Sequence, residues 1–383
     1  MALPSTLLPA ARVSVLAVFF VHGAVFATWV SRIPEVQGGL GISTGPFGLA
    51  LLGVAVGSIL SMPATGWLIG RHGSKPVTAI ASVWFCLALA PLAYAGSVVS
   101  LGLALGFLGM AAGAMDVSMN AQGVEVETAA RRPLVSGFHA MFSIGGMVGA
   151  GVGGVIAKLG IGVRAHFVGA ALVCLAAILL ASRGLLASAV RPSGGKGGFR
   201  FTPAVAALAA LTFCFFLSEG SIADWSALYL SRALQAGPVQ AAAGYALFSA
   251  TMGAGRLAGD RLRTRYSGRS LVRTGSLLAA SGLALALLVP HTGVALVGFA
   301  MVGLGCSVIV PIAIAAAGTV PGVNAGQSIS TVVTMGYLGL FVGPPLIGMA
   351  AEAITLRWAM FISVGLCLCG VPLARLVESA DRE

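Results

Sequence analysis

Three acids sit where a charge is hardest to keep. Asp116, Glu219 and Asp224 fall deep inside long apolar runs, whereas Glu125, Glu127 and Glu352 lie near the ends of such runs. A charge at the centre of a lipid-buried helix costs about 2.5–3.5 kcal/mol on insertion scales, so each buried acid implies a task such as binding a proton, holding a polar ligand or pairing with a base. Asp116 and Asn120, four residues apart, stack a carboxylate and an amide on one helical face, where they can hold a hydroxylated ligand or a proton. The alternative for that pair is an interhelical hydrogen bond that fixes packing. Glu219 and Asp224 are five residues apart, about 140° around a helix, and are expected to point in different directions. Glu219 is the deeper and is flanked by Phe215, Phe216 and Leu217, water-poor surroundings that suit proton exchange. Asp224 is left for packing or for an outer ion pair with Arg32 or Arg232.

Aromatic residues extend the set. His22 shares a face with Phe26 and Trp29 through spacings of four and seven, and reads either as a hydrogen-bonded core histidine or as a ligand and proton relay. Trp29 and Trp225 are expected to face a common cavity, since aromatic faces suit the apolar side of a sugar ring or a flat drug. His139 opens the fifth apolar run, and Asn324 and Gln327 open the eleventh as loop or capping residues. The six cysteines all lie within apolar stretches and read as small buried hydrophobes, so no metal site and no cofactor are expected. No phosphate-binding G-x-x-x-x-G-K-[ST] loop and no H-E-x-x-H pair occurs. The G-x-S-x-G match at Gly41–Gly45 lies in a predicted external loop instead of a strand-to-helix elbow, and is read as chance.

The elements that must carry these residues follow from composition. Of 383 residues 58% are apolar and only 9% are charged, with a mean hydropathy of +0.99, whereas a soluble domain carries about a quarter charged residues. Soluble enzymes and disordered chains are excluded, and a multi-pass membrane protein is implied. The formal charge of +11 is spread between apolar runs and forms no nucleic-acid-reading helix, so no nucleic acid partner is expected. A helix needs about 20 apolar residues to cross the hydrocarbon core. Twelve such spans are predicted near 12–31, 46–69, 76–95, 98–122, 134–157, 164–182, 203–230, 240–262, 270–290, 293–318, 326–351 and 357–377. The first reads as a retained helix, since another span follows it instead of a soluble domain. The Gly/Pro/Ser-rich stretch within 183–202 reads as a linker between an N-terminal bundle, 1–182, and a C-terminal bundle, 203–383.

With the N-terminus inside, inner loops and termini hold seventeen of the 22 Lys and Arg residues, which predicts that both termini face the cytoplasm. The halves also repeat. Adding 194 to Leu68, Arg71, Gly145, Gly149, Ala157 and Phe167 gives Leu262, Arg265, Gly339, Gly343, Ala351 and Phe361, and adding 196 to Phe20 and Trp29 gives Phe216 and Trp225. Two copies of a six-helix unit form an arrangement able to rock about a site at the bilayer midplane. The 54 glycines let helices approach closely.

The residues then resemble a known family. Gly66-Trp67-Leu68-Ile69-Gly70-Arg71-His72-Gly73-Ser74-Lys75 is similar to the cytoplasmic signature of the major facilitator superfamily, departing at Gly70 where that signature has Asp. Gly255-Arg256-Leu257-Ala258-Gly259-Asp260-Arg261-Leu262, with Arg265 and Gly268, resembles its C-half version, in a register that disagrees with the offset of 194. Gly109, Gly113, Asp116 and Asn120, the run Ser136-Gly137-Phe138-His139, and Glu219 with Trp225 and Tyr229 resemble the fucose-permease-like branch, including rhizopine permeases. Gly149-Ala150-Gly151-Val152-Gly153-Gly154 resembles the fifth-helix motif of drug–proton antiporters, with Ala150 in place of its proline.

The resemblance implies an all-α fold of twelve transmembrane helices in two pseudo-symmetric six-helix bundles, and a secondary transporter in the bacterial cytoplasmic membrane. It implies a monomer in membrane lipid that moves a sugar, polyol or related small solute, coupled to protons. Asp116 and Glu219 are then assigned to proton coupling, and His22, Trp29, Asn120, Asp224, Trp225 and Tyr229 to substrate. Arg71, His139, Arg256, Asp260, Arg261 and Arg265 are assigned to gating, with topology alone as the alternative for the bases. Two other functions stay open, proton-antiport efflux of drug-like compounds and a non-transporting membrane sensor.

Overall fold

The computed structural model describes residues 7–132, 134–187 and 202–377, apart from the side chains of Leu7, Asp260 and Leu376. Most of the predicted linker therefore lies outside the described residues. Fifteen α-helices and short 3₁₀ and π turns make up the described structure, with no strand among the described residues. The first half contains α1 (Leu7–Ser31), α2 (Ile33–Leu40), α3 (Thr44–His72), α4 (Ser74–Ala88), α5 (Val98–Ala130), α6 (Val135–Lys158) and α7 (Val163–Ala181). The second contains α8 (Pro203–Leu228), α9 (Pro238–Arg265), α10 (Gly268–Leu288), α11 (Thr292–Cys306), α12 (Ile309–Ala317), α13 (Ala325–Ile354), α14 (Leu356–Ala359) and α15 (Phe361–Val377).

Local chemistry fixes many of these boundaries. A reciprocal capping box starts α5, where Ser97 Oγ accepts the Ser100 N–H at 3.1 Å and Ser100 Oγ accepts the Ser97 N–H at 2.9 Å. Thr202 caps α8 ahead of Pro203, Ser267 caps α10, and Asn324 caps α13 by accepting the Gln327 N–H at 3.2 Å. Gly73, at φ 82°, supplies the left-handed step that separates α3 from α4. Two predicted spans are interrupted at prolines. The third passes from α4 into a 3₁₀ turn at Ala90-Pro91, and the tenth breaks at Ser307–Val308 just before Pro311, whose ring nitrogen cannot donate to a helical carbonyl.

Among the described residues eleven helical segments are long and apolar enough to cross a membrane. The twelfth predicted span is α9, 28 residues long and about 42 Å from end to end. Length is not what sets it apart. Its last three turns carry Arg256, Asp260, Arg261, Arg263 and Arg265, which lower its hydropathy.

The chain divides into two compact units. In the first, α1 lies against α6 so closely that a Cβ on Gly145 would collide with the Phe20 carbonyl oxygen, and one on Gly149 with that of Ala24. Backbone-to-backbone approach of this kind needs glycine at the seam. At the start of α4, buried Gln122 from α5 receives the Leu186 N–H at 3.0 Å and donates to the Leu186 carbonyl at 2.8 Å and to Ser74 Oγ. Ser74 in turn donates to Glu125 at 2.8 Å. Gln122→Leu strands the Leu186 N–H and carbonyl in a dry site, and is expected to cost roughly 2–3 kcal/mol. Thermal unfolding followed by helical circular dichroism reads this directly, and an unchanged transition would contradict it.

The second unit comprises the second half together with Ser43–Gly48. There Glu352 accepts the Gly45 N–H at 2.7 Å and the Thr44 hydroxyl at 3.4 Å. The α8–α13 seam uses the repeated glycines, but not in the register that the offsets imply. Gly339 meets the carbonyl of Phe213, three residues before Phe216, the counterpart of Phe20. Gly336 meets the Phe216 ring instead.

Candidate functional site

Each unit holds its own set of buried polar groups. In the first, Asp116 and Asn120 are brought together on α5, as their spacing requires. Asn120 Nδ2 donates to Asp116 Oδ1 at 3.2 Å and to the Asp116 carbonyl at 2.8 Å. Both side chains are half-buried. His22 is 7% exposed, edge-on to Phe85 at 4.8 Å and to Phe142 at 5.4 Å. Its Nδ1 is buried and has no hydrogen-bond partner. His139 lies edge-on to Phe19 at 5.1 Å.

Trp29 is fully buried against Phe167, with ring centroids 6.4 Å apart, so its face serves the packing of α1 on α7. Arg32 is also buried within this unit. It pairs with Glu35, donates to the Ile161 carbonyl at 2.9 Å and contacts His166 Nδ1 at 3.4 Å. These contacts anchor the Arg32 guanidinium within the first unit.

In the second unit the central acid is Glu219 on α8. Its Oε1 is buried without a hydrogen-bond partner. Arg256 and Tyr245 of α9, Cys306 at the end of α11 and Cys367 of α15 all lie within electrostatic reach of its carboxylate. Tyr245 also lies within reach of Asp224 and is hydrogen-bonded to Ser249. Tyr245, Ser249, Met252 and Arg256 recur at spacings of four, three and four, so they form one stripe along α9. Glu219 and Asp224, five residues apart on α8, thus both lie within electrostatic reach of Tyr245.

The other expected residues of this unit are placed differently from one another. Trp225 is fully buried, edge-on to Phe47 at 5.9 Å, and its Nε1 has no hydrogen-bond partner. Tyr229 donates its hydroxyl to the Ala286 carbonyl at 2.9 Å and lies edge-on to Phe299. That hydroxyl ties the end of α8 to α10, and its buried position offers no free polar edge to a ligand. Of the residues assigned to gating, Arg71 is exposed at the end of α3 and stacks over Trp67 at 5.5 Å. Arg261 and Arg265 are exposed on the last turns of α9, and Arg256 is half-buried. The backbone of Asp260 is helical within α9, and its side chain lies outside the described residues.

Tyr245 and Ser249 were not singled out from the sequence, although the polar stripe they form with Arg256 is legible in it. Two hydroxyls and a base on one face of an otherwise small-residue helix are its signal. Among the described residues no group of three or more His, Cys, Asp or Glu side chains could hold a metal ion.

Comparison with known proteins gives a consistent set of likenesses. The sequence model of the Major Facilitator Superfamily matches residues 14–217 and 208–383. An uncharacterized MFS-type transporter of Yersinia pestis is 36% identical over 374 residues, covering 96% of this chain and 95% of its own. The membrane protein MosC of Rhizobium meliloti is 32% identical over 368 residues, covering 93% and 89%. Among solved structures, a bacterial homologue of the human lysosomal transporter Spinster, inward-facing and unoccupied, aligns with a TM-score of 0.76 at 13% identity over 98% of both chains. The nucleoside transporter NupG aligns with a TM-score of 0.71 at 14% identity over 97% of this chain and 99% of its own. At these identities the structural likeness establishes the fold.

Proposed function

The chain belongs to the Major Facilitator Superfamily, and from that membership we propose that it is a proton-coupled secondary transporter of a small polar solute such as a sugar or polyol. The observation that carries the proton coupling is Glu219, a carboxylate in a membrane helix whose Oε1 is buried and unpartnered. An acid in such a place is stable when it carries a proton and costly when it does not, so its occupancy can bias one conformation over another. Asp116 is the corresponding acid of the first unit, with Asn120 beside it to hold a hydroxyl group of the solute.

The named solute class rests on the fucose-permease-like resemblance and on the amide–carboxylate pair, which suits hydroxylated ligands. The test is flux into proteoliposomes with an imposed pH gradient, across sugars, polyols, amino-inositols and cationic drugs. Gradient-dependent uptake of a sugar or polyol supports the reading. Uptake that ignores the gradient would make the protein a facilitator, and transport of cationic drugs alone would turn it into an exporter.

Tyr245 supplies a finer test. It lies within electrostatic reach of both Glu219 and Asp224, so its hydroxyl is part of the polar surroundings in which either acid holds its proton. Tyr245→Phe removes the hydroxyl and keeps the ring. The pH at which flux is half-maximal is expected to move by about one unit, the scale at which neighbouring sites titrate together. Superimposable pH profiles would remove Tyr245 from the coupling.

A further inference from the structure

A recess lies at one end of the first unit, apart from the two acids assigned to proton coupling. The start of α1, with Ala130, Arg132 and Leu134, lines an open recess of about 340 Å³, in which Leu8, Val13, Leu16 and Leu134 form the apolar walls and Arg12 and Arg132 are the two charges. Arg12 and Arg132 are both exposed, as is Val13 on the adjoining surface of α1. Arg131, at φ 51°, closes α5 in the left-handed conformation and sends the chain back toward α6. The nearby acid, Glu127, accepts the Leu134 and Val135 N–H groups at 2.6 and 2.9 Å, and so caps the start of α6.

Two exposed arginines beside an apolar wall, at the end of a helix long and apolar enough to cross a membrane, match one kind of molecule. Guanidinium groups take phosphate oxygens, and basic recesses between membrane helices hold acidic headgroups. The volume is in the range of small-molecule sites, enough for a glycerophosphate group whose acyl chains leave along α1. We propose that this groove binds the headgroup of an acidic phospholipid. The site is independent of the solute and of proton coupling, and lies wholly within one unit.

The test is a titration of the purified full-length protein in neutral detergent by native mass spectrometry, with phosphatidylglycerol, phosphatidylcholine and soluble glycerol phosphate as separate probes. Phosphatidylglycerol is expected to bind, and Arg12→Gln/Arg132→Gln to weaken it roughly thirtyfold, from the typical contribution of a basic residue near an acidic lipid surface. The control Arg263→Gln/Arg375→Gln, which removes the same charge from exposed positions elsewhere, is expected to leave binding unchanged. If the double variant does not fold, Arg12→Gln alone is read in the same titration, with about a fivefold loss expected. The proposal is overturned if phosphatidylcholine binds as tightly, if glycerol phosphate competes at equal concentration, or if the arginine variants bind phosphatidylglycerol like the unaltered protein. Equal losses in the control pair would also overturn it, by showing that bulk charge and not this groove attracts the lipid.

Discussion

Glu219→Gln is expected to abolish solute accumulation driven by a pH gradient while leaving solute exchange at equal pH in place. With one proton carried per solute, each imposed pH unit is worth about 1.4 kcal/mol and supports about tenfold accumulation. Glutamine keeps the shape and hydrogen-bonding capacity of a protonated glutamate but cannot release the proton, so the accumulation ratio falls to about one. The sign follows from the coupling: acid outside drives entry in the unaltered protein and has no effect in the variant. Neutralisation also removes the opposite charge that Arg256 faces on α9, so a moderate slowing of exchange accompanies the loss of coupling. Retained tenfold accumulation per pH unit would dismiss Glu219 from the mechanism.

The second large effect concerns packing. Gly145→Leu is expected to destabilise the protein by roughly 3 kcal/mol or more, because even its Cβ would sit 2.9 Å from the Phe20 carbonyl carbon and 3.0 Å from the Ala24 nitrogen. Both are backbone atoms, so no rotamer change relieves the clash and α1 and α6 must separate. Gly151, on the same helix, has open space around its Cβ position and is exposed. Gly151→Leu therefore tests whether the effect belongs to the seam or to any added bulk. Thermal unfolding in detergent is expected to fall steeply for the first variant and hardly at all for the second. Equal transitions would contradict the account of the α1–α6 seam.

How far the sequence reaches is visible in individual residues. Periodic apolar runs place nearly every helix, because crossing lipid demands about 20 apolar residues and little else does. The repeat identifies Gly145 and Gly339 as seam glycines, but not that their partners differ in register, since identical offsets say nothing about how far one helix slides along its neighbour. The Asp116–Asn120 contact is legible because it is local, four residues apart on one helix. The sequence offers Arg32 for an outer ion pair and Tyr229 for the solute, whereas the structure ties them to carbonyls of Ile161 and Ala286. Those partners are 129 and 57 residues away, and no spacing rule reaches that far. Trp29 illustrates the same limit, since an aromatic face reads alike in sequence whether it awaits a sugar or meets Phe167. Tyr245 was legible in principle, through the stripe it shares with Ser249 and Arg256, but its significance depends on Glu219 and Asp224 being near, which only the packing of α9 on α8 supplies.

The coupling itself is tested most directly by recording lumenal pH in proteoliposomes, through an entrapped pH-sensitive dye, while a transported sugar or polyol enters down its own gradient. Acidification of the lumen that keeps pace with solute entry, and disappears in Glu219→Gln, is the predicted result. Solute entry at the usual rate with no change in lumenal pH in the unaltered protein would contradict it.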